Sequence, residues 1–281
     1  MSHTHITGLY IYPVKSMQGI ALQQAQLTPR GLRYDRLWMV VRASGRFVTQ
    51  RDIPRMALVQ TGLNGDGVVL SMKGHGSITI PFDFDDAESI ETRVWGDVCQ
   101  TVDQGEAVSQ WLSAALGSEE PLRLVRMRPG FVRPQNHPEI FGEDTSVDFA
   151  DAAPFLVANE ASLDHLNLVL ESRSLSPVPM NRFRPNIVLR DLEPFAEHEI
   201  AGLSTESCQL QMRAPCERCV VTTIDQATGE KDPQRQPFKT LQEINPVPGK
   251  EKAPAFAQYA TLALGDQERI AVGDRFEAIP G

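Results

Sequence analysis

Short apolar runs separated by turn residues divide the first hundred residues of the chain. These apolar runs are rich in β-branched and aromatic side chains, which favour strands. The runs cover residues 6–14, 36–51, 61–72, 76–82 and 91–102. Ser-Gly interrupts the second run, and Asn-Gly and Asp-Gly interrupt the third, which are signals of hairpin turns. Strands this frequent predict a closed or strongly bent antiparallel sheet, because closure removes exposed sheet edges.

The remaining sequence mixes helices with further strands. Residues 103–117 predict a helix that Asp103 caps and Gly117 ends. Its apolar face is formed by residues at helical spacing, namely Ala107, Val108, Trp111, Leu112 and Ala115. Residues 158–170 predict a second helix capped by Asn159, and residues 236–244 predict a short third one.

Strands are expected between and after these helices. They are placed at residues 119–127, 182–190, 204–215, 220–224, 257–264 and 269–279. Residues 128–149, rich in Pro and Gly, predict a long loop of the kind that is usually functional or disordered. The sequence therefore predicts a β-rich α+β protein in two barrel-like parts.

Composition limits the classes of function. The 281 residues carry a net charge of −9, which argues against a broad footprint on a nucleic-acid duplex. No apolar run reaches the ~18 residues of a membrane span. The N-terminus lacks the basic and apolar regions of a secretory signal, so a cytoplasmic location is expected. Four cysteines in a chain of this length do not resemble a disulfide framework.

Two of the cysteines, Cys216 and Cys219, form a C-x-x-C motif. A structural zinc site would need a second ligand pair. The other two cysteines are single, and the histidines offer no pair apart from one at the N-terminus. A thioredoxin-like dithiol begins a helix, whereas residues 220–224 predict a strand. A thiolate beside Arg213 and Arg218 fits a soft or high-valent metal better. Packing of both cysteines as small apolar side chains remains an alternative.

Anion-binding side chains recur elsewhere in the chain. Lys15 and Ser16 follow a strand and a proline, where an ammonium and a hydroxyl with adjacent N–H groups can hold a phosphate. Arg36 follows Asp35 and precedes an apolar run, which predicts a guanidinium held in place, with a structural ion pair as the alternative. Arg184 and Asn186, two apart on a predicted strand, can point to the same face.

Four motifs in order carry a resemblance to a known family. They read LYIYPVKSMQG (9–19), RGLRYDRLWMVV (30–41), NRFRPNIVL (181–189) and APCERCVVTTIDQATGE (214–230). This order resembles the MOSC-domain proteins, in the branch of the mitochondrial amidoxime-reducing component and its bacterial YcbX-like relatives. The resemblance covers nearly the whole chain. It implies an N-terminal β-barrel-like domain at 1–118 and a MOSC β-barrel domain with a few helices at 119–281.

The resemblance also implies a molybdenum cofactor, a pterin dithiolene with a terminal phosphate. The family's metal ligand falls on Cys219. Its cofactor contacts fall on the residues already selected for their charge or polarity, namely Lys15, Ser16, Arg36, Arg184, Asn186 and Arg218. Asp225, six residues beyond Cys219, is a candidate orienting or proton-handling carboxylate, with a turn residue as the alternative.

The function implied is the reduction of N-hydroxylated small molecules such as hydroxylamines, amidoximes and N-hydroxylated bases. The chain has no four-cysteine cluster motif, so no iron–sulfur cluster is expected and electrons would come from a separate protein. The alternative is a carrier of the molybdenum cofactor or of sulfur that uses Cys219 without turnover.

Three residues depart from the family's pattern. Where the family has two hydroxyl residues that touch the cofactor, this chain has Ala152 and Ala153. Between the cysteines, where relatives often have a small residue, it has Glu217. A carboxylate near an anionic cofactor is unfavourable unless it points away or meets a cation.

Overall fold

The computed structural model describes residues 2–82 and 89–281. The strands within these residues are β1 (Ser2–Ile11), β2 (Ile20–Leu22), β3 (Gln24–Thr28), β4 (Gly31–Leu32), β5 (Trp38–Arg42), β6 (Gln60–Leu63), β7 (Gly67–Met72), β8 (Gly76–Pro81), β9 (Ser89–Val94), β10 (Asp97–Asp103), β11 (Leu122–Met127), β12 (Phe155–Asn159), β13 (Ile187–Arg190), β14 (Ile200–Ser204), β15 (Gln209–Glu217), β16 (Pro246–Val247), β17 (Lys250–Leu264), β18 (Arg269–Ala271) and β19 (Arg275–Pro280). The α-helices are α1 (Glu106–Leu116), α2 (Pro138–Phe141), α3 (Glu160–Ser172) and α4 (Phe238–Ile244). Short 3-10 helices lie at Pro54–Leu58, Met180–Arg182, Ala196–His198 and Val220–Thr223.

A closed barrel of seven strands forms the centre of the fold. Its strand order is β12-β13-β1-β19-β14-β15-β17, and β17 pairs again with β12. Only β12 and β13 run parallel to each other. All seven strands contribute to one apolar cluster, which therefore fills the barrel interior. The predicted β-rich α+β class is confirmed, although β1 alone of the described strands in the first hundred residues belongs to this barrel.

Strands β5 to β11 form two smaller sheets that contribute to two further apolar clusters. The predicted hairpin in residues 61–72 forms as β6–β7, which β8 extends. A four-stranded sheet has the order β5-β11-β10-β9. Its strand β11 follows the expected domain boundary at residue 118 but pairs with β5 and β10 on the N-terminal side. The boundary itself remains a prediction.

The predicted helices are present, with one difference at a cap. Asn159 caps α3 by accepting a hydrogen bond from the backbone N–H of Ala161 (3.2 Å), and Gly117 ends α1 in the left-handed conformation. Asp103 is not the N-cap of α1. Gly105 takes that position, while Asp103 accepts from the Gly105 N–H and pairs with Arg123. No helix in the described ranges is long and apolar enough to span a membrane.

Candidate functional site

A cleft is the feature that gathers the polar residues selected from the sequence. It is built from loops that are far apart in the chain: those after β1 and β5 and those before β5, β12 and β13. The end of β15, the segment after it, and one side chain each of β12 and β17 complete the lining. Its polar and sulfur-bearing side chains are Lys15, Ser16, Arg36, Thr49, Arg51, Asp151, Arg184, Asn186, Cys216, Arg218, Cys219 and Tyr259. Seven of the eight predicted site residues are among them.

Asp225 is the predicted site residue that the structure does not bring into the cleft lining. One carboxylate oxygen accepts from the backbone N–H groups of Ala227 and Thr228, and the other binds Arg182 at 2.7 Å. Burial alone would raise the pKa of Asp225, but these N–H groups and Arg182 lower it below its usual value. Asp225 therefore lies in a turn outside the cleft lining, and an orienting or proton-handling role for it stays a prediction.

Left-handed backbone conformations occur at three of the cleft residues. Ser16, Arg36 and Arg184 have φ values of 68°, 48° and 57°. Residues other than glycine rarely adopt this region, and it is enriched at functional sites. The prediction that Arg184 and Asn186 lie on a strand is wrong, because the left-handed turn at Arg184 delays β13 until Ile187. Both side chains nevertheless reach the same cleft.

Two guanidinium groups lie against the ring of Tyr12. Those of Arg36 and Arg184 are 4.3 and 4.2 Å from its centroid. Arg36 pairs with Asp35 at 2.6 Å, so the structural ion pair considered from the sequence is present. Arg184 donates to the Met17 carbonyl at 2.6 Å. Burial, reinforced by the charge of Arg36, lowers the pKa of Arg184 to about 10. The folded protein therefore holds a cation here at an electrostatic cost.

Lys15 has partners within the cleft. Its ammonium group donates to the Phe149 carbonyl at 2.8 Å and to the Asp151 carboxylate at 2.5 Å. Burial lowers the pKa of Lys15, and the carboxylate of Asp151 opposes this effect. Asp151 itself is exposed to the cleft that it lines, and it also accepts from the indole N–H of Trp95 at 3.1 Å. A ligand anion near Lys15 would have to share the ammonium with this carboxylate.

Asn186 is 1% exposed, and its amide connects main-chain groups. Its oxygen accepts from the Leu156 N–H at 3.1 Å, and its nitrogen donates to the Tyr10 carbonyl at 3.1 Å. These bonds join β12 to the end of β1 directly beside the cleft. A contact between Asn186 and a cofactor remains a prediction.

The two cysteines of the C-x-x-C motif have different environments. Cys216 is buried in β15, and its sulfur accepts from Arg218 at 2.8 Å. Burial raises the pKa of the Cys216 thiol, with Arg218 acting in the opposite direction. Cys219 follows the strand end, is half-buried and lines the cleft. The strand predicted at 220–224 is wrong, because Val220–Thr223 form a 3-10 helix.

Glu217, the carboxylate between the cysteines, points away from the cleft. It is exposed and lies 3.2 Å from the ammonium group of Lys250. Because it is absent from the cleft lining, it does not oppose an anionic ligand there. Among the described residues, no cluster of three or more His, Cys, Asp and Glu side chains has the arrangement of a metal site.

The sequence does not single out four of the polar cleft residues. Asp151 lies in the loop before β12, Tyr259 lies in the middle of β17, and Thr49 and Arg51 follow β5. Tyr259 has a strongly raised pKa, first through burial and then through the neighbouring Cys216. Only Asp151 had a signal in the sequence, since it begins the Asp-Ala-Ala-Pro segment in which the two alanines were noted.

The main chain around the two alanines is held from the long loop after β11. Arg133, 2% exposed, donates to the carbonyls of Asp148 and Ala150 at 3.2 and 2.8 Å. Gln135 donates to the carbonyl of Ala152 at 3.1 Å. The wall of the cleft that lacks the family's hydroxyl groups is therefore fixed through its backbone.

Unpartnered donors remain on two of the cleft arginines. The Nη2 atom of Arg184 and the Nε atom of Arg218 are buried without a hydrogen-bond partner in the described structure. Buried N–H groups of this kind are unfavourable unless a further acceptor binds them. Together with an accessible thiol at Cys219, they suit a ligand that presents both anionic oxygens and a thiophilic metal.

Comparison with known proteins gives matches along most of the chain. Residues 3–119 match the MOSC N-terminal beta barrel domain, and residues 144–277 match the MOSC domain. Mitochondrial amidoxime-reducing component 1 of Homo sapiens is 33% identical over 96% of this chain and 81% of its own length. Molybdenum cofactor sulfurase of Danio rerio is 35% identical over a match that covers 85% of this chain and 30% of the sulfurase.

Among solved structures, the YUAD protein of Bacillus subtilis covers 98% of this chain and 94% of its own, with 8% identity and a TM-score of 0.37. A similarity this low adds nothing to the assignment. The domain matches and the relatives in sequence decide it: the chain belongs to the MOSC-domain family, in the branch that includes the mitochondrial amidoxime-reducing components.

Proposed function

We propose that this protein binds a molybdenum cofactor in the cleft and reduces N-hydroxylated small molecules with electrons from a separate protein. The observation that carries the proposal is the meeting of Cys219 with Lys15, Arg36, Arg184 and Arg218 in one cleft. The names of the relatives, an amidoxime-reducing component and a molybdenum cofactor sulfurase, agree with that chemistry.

The donor set of the cleft fits an anionic, sulfur-liganded metal cofactor. Cys219 would supply the protein ligand to molybdenum, because a cysteine sulfur suits such a centre. The unpartnered N–H groups of Arg184 and Arg218 would receive anionic oxygens of the cofactor. Lys15 and Ser16, on the left-handed turn after β1, would hold the phosphate end.

When bound, the cofactor supplies the electron pair that, with protons, converts an N–OH group into N–H and water. The residues of this chain would then orient the cofactor and limit water around it. The half-buried Arg36 and Arg184, held against the ring of Tyr12, would provide a fixed positive wall. The Cys216–Arg218 contact would fix the segment that carries Cys219. Asp225 has no part in this proposal.

Metal and pterin analysis of protein made in a host that synthesises the cofactor tests the first half of the proposal. We expect molybdenum and pterin in equal amounts in the wild type and loss of the metal in Cys219→Ala. Cys208→Ala is the matched control, because Cys208 is a buried cysteine outside the cleft. A wild-type protein without molybdenum and pterin, or a Cys219→Ala variant that retains both with full activity, would contradict the proposal.

Reduction of an amidoxime by the loaded protein tests the second half. A chemical reductant and several redox proteins serve as electron donors. Loss of the N–OH group in the presence of loaded wild-type protein, and not with Cys219→Ala, is the expected result.

A second candidate is a carrier that holds the cofactor or sulfur at Cys219 without turnover. The match to the molybdenum cofactor sulfurase, over 85% of this chain, favours keeping it. Stoichiometric cofactor without reduction of any substrate by any donor would select this carrier.

The cytoplasmic location and the absence of a nucleic-acid or membrane partner also remain part of the proposal. The net charge of −9 is consistent with docking of a basic electron-donor protein.

A further inference from the structure

Trp95 leaves an unusual amount of aromatic surface in solvent. It lies in the two-residue turn between β9 and β10 and is 47% exposed. Of the other two tryptophans, Trp38 is fully buried, and Trp111 is half-buried and donates to the His75 carbonyl. An indole is normally buried because its large apolar surface gains most from leaving water. The fold gives no reason for the exposed part of Trp95.

The backbone at Trp95 is also unfavourable. Its φ is 54°, so the left-handed residue of this turn is the tryptophan and not Gly96 beside it. Glycine is the residue that adopts this conformation without a penalty, and a bulky side chain there is a true outlier. Such conformations persist where the surrounding contacts enforce them, and they cluster at binding sites.

The contacts that hold the indole connect it to the cleft. Its N–H donates to Asp151 at 3.1 Å, and the guanidinium of Arg51 lies 4.9 Å from its ring centre. Asp151 and Arg51 both line the cleft. The ring of Phe47 lies at 5.0 Å, tilted by 59°. The indole is therefore fixed beside the cleft by a hydrogen bond, a cation and a second ring, while the residue stays 47% exposed.

We propose that Trp95 is a specificity-determining residue of the cleft and that a flat, conjugated N-hydroxylated substrate stacks on its indole. This inference rests on the function proposed above. Ring stacking needs a planar π face on the ligand, so aromatic amidoximes and N-hydroxylated bases gain from it. Substrates that carry the same N–OH group on a saturated ring cannot stack in this way. Trp95 does not touch the reacting bond and does not hold the cofactor.

A pair of amidoximes that differ only in planarity tests this role. Benzamidoxime and cyclohexanecarboxamidoxime carry the same head group on a flat and on a saturated ring. Their binding to the cofactor-loaded protein is measured by calorimetry without an electron donor, so that no turnover occurs. We expect benzamidoxime to bind roughly tenfold more tightly, the range of a single aromatic stacking contact.

Variants assign this preference to the indole. Trp95→Leu should bring the two affinities within about twofold, whereas Trp95→Phe, which retains a ring, should keep most of the preference. Val98→Ala, an exposed apolar residue of the same hairpin, should leave it unchanged. Benzamidoxime should also quench the intrinsic fluorescence of the wild type and not that of Trp95→Phe, which tests the contact even if Trp95→Leu does not fold.

The inference is overturned if the wild type binds the two compounds equally or binds neither. It is also overturned if Trp95→Leu still binds benzamidoxime more tightly than cyclohexanecarboxamidoxime. Failure of the proposed function gives a different pattern. If neither compound is reduced by any donor while the Trp95-dependent preference is observed, the reductase proposal fails and the role of Trp95 stands.

Discussion

Replacing Arg184 with glutamine is predicted to change the stability of the cofactor-free protein little and to remove much of the stabilisation that the cofactor brings. At neutral pH this guanidinium is charged in both the folded and the unfolded chain. Burial, and then the neighbouring Arg36, lower its folded pKa to about 10. Since one pKa unit is worth about 1.4 kcal/mol, the folded state carries a penalty of about 3 kcal/mol at all pH values below 10.

Contacts of the same side chain offset this penalty. Arg184 donates to the Met17 carbonyl and lies on the ring of Tyr12, contacts worth about 2 and 1 kcal/mol. The sum is near zero, so we expect the free energy of unfolding of cofactor-free Arg184→Gln to lie within about 1 kcal/mol of the wild type. Loss of a well-paired buried cation would instead cost about 3–5 kcal/mol.

Cofactor binding changes this balance. An anion that meets the free Nη2 atom of Arg184 removes the penalty of about 3 kcal/mol, which corresponds to roughly 6 °C or more in Tm for a chain of this size. Thermal unfolding followed by circular dichroism, on protein from hosts with and without cofactor synthesis, measures both states. Arg184→Gln should lack the roughly 6 °C of the cofactor-induced increase in Tm that the wild type owes to this contact.

Arg33→Gln is the matched control. Arg33 also lies over a tyrosine, Tyr34, with 4.9 Å to the ring centroid, but it is exposed and lies outside the cleft. It should show the full cofactor-induced increase in Tm. The reasoning is refuted if cofactor-free Arg184→Gln unfolds more than about 6 °C below the wild type, the shift expected from ~3 kcal/mol. It is also refuted if the cofactor stabilises Arg184→Gln as much as the wild type.

Further variants separate the roles of neighbouring residues. Cys219→Ser should lose bound molybdenum in elemental analysis, whereas Cys216→Ser should keep the metal but lower Tm, because its buried sulfur partners Arg218. Glu217→Gln should leave cofactor content unchanged, since this carboxylate faces Lys250 at the surface; reduced content would place it in the cleft. Asp225→Asn should keep cofactor and turnover but destabilise the fold by about 1–2 kcal/mol in urea, because Arg182 loses its charged partner.

The sequence identified cleft residues well where chemistry alone selects them. A thiol, a lysine beside a hydroxyl and arginines flanked by apolar runs are recognisable without a structure, and Cys219, Lys15 and Arg36 all line the cleft. Asp225 shows the limit of this reasoning. Its separation from Cys219 along the chain is short, but the 3-10 helix between them turns it towards Arg182.

Contacts between distant segments could not be predicted in the same way. Asp151 becomes a cleft residue because Lys15, 136 positions away, binds it. Tyr259 looks like any other aromatic residue of a strand until β17 is paired with β15, which carries Cys216. Periodicity indicates that a position belongs to a strand, but it does not tell which loop that strand will face.

The backbone of the cleft explains both the wrong strand prediction and the position of the site. The apolar and β-branched residues that follow Arg184 predict a strand there, yet Arg184 adopts a left-handed conformation, as do Ser16, Arg36 and, beside the cleft, Trp95. None of these residue types favours that conformation, so local sequence rules fail at four positions in or beside the cleft, and they fail at seven other described positions as well. Such failures are expected where ligand contacts and not stability determine the geometry. The same four residues are those to which we assign binding of the cofactor and of the substrate, so backbone geometry and side-chain chemistry point to the same cleft.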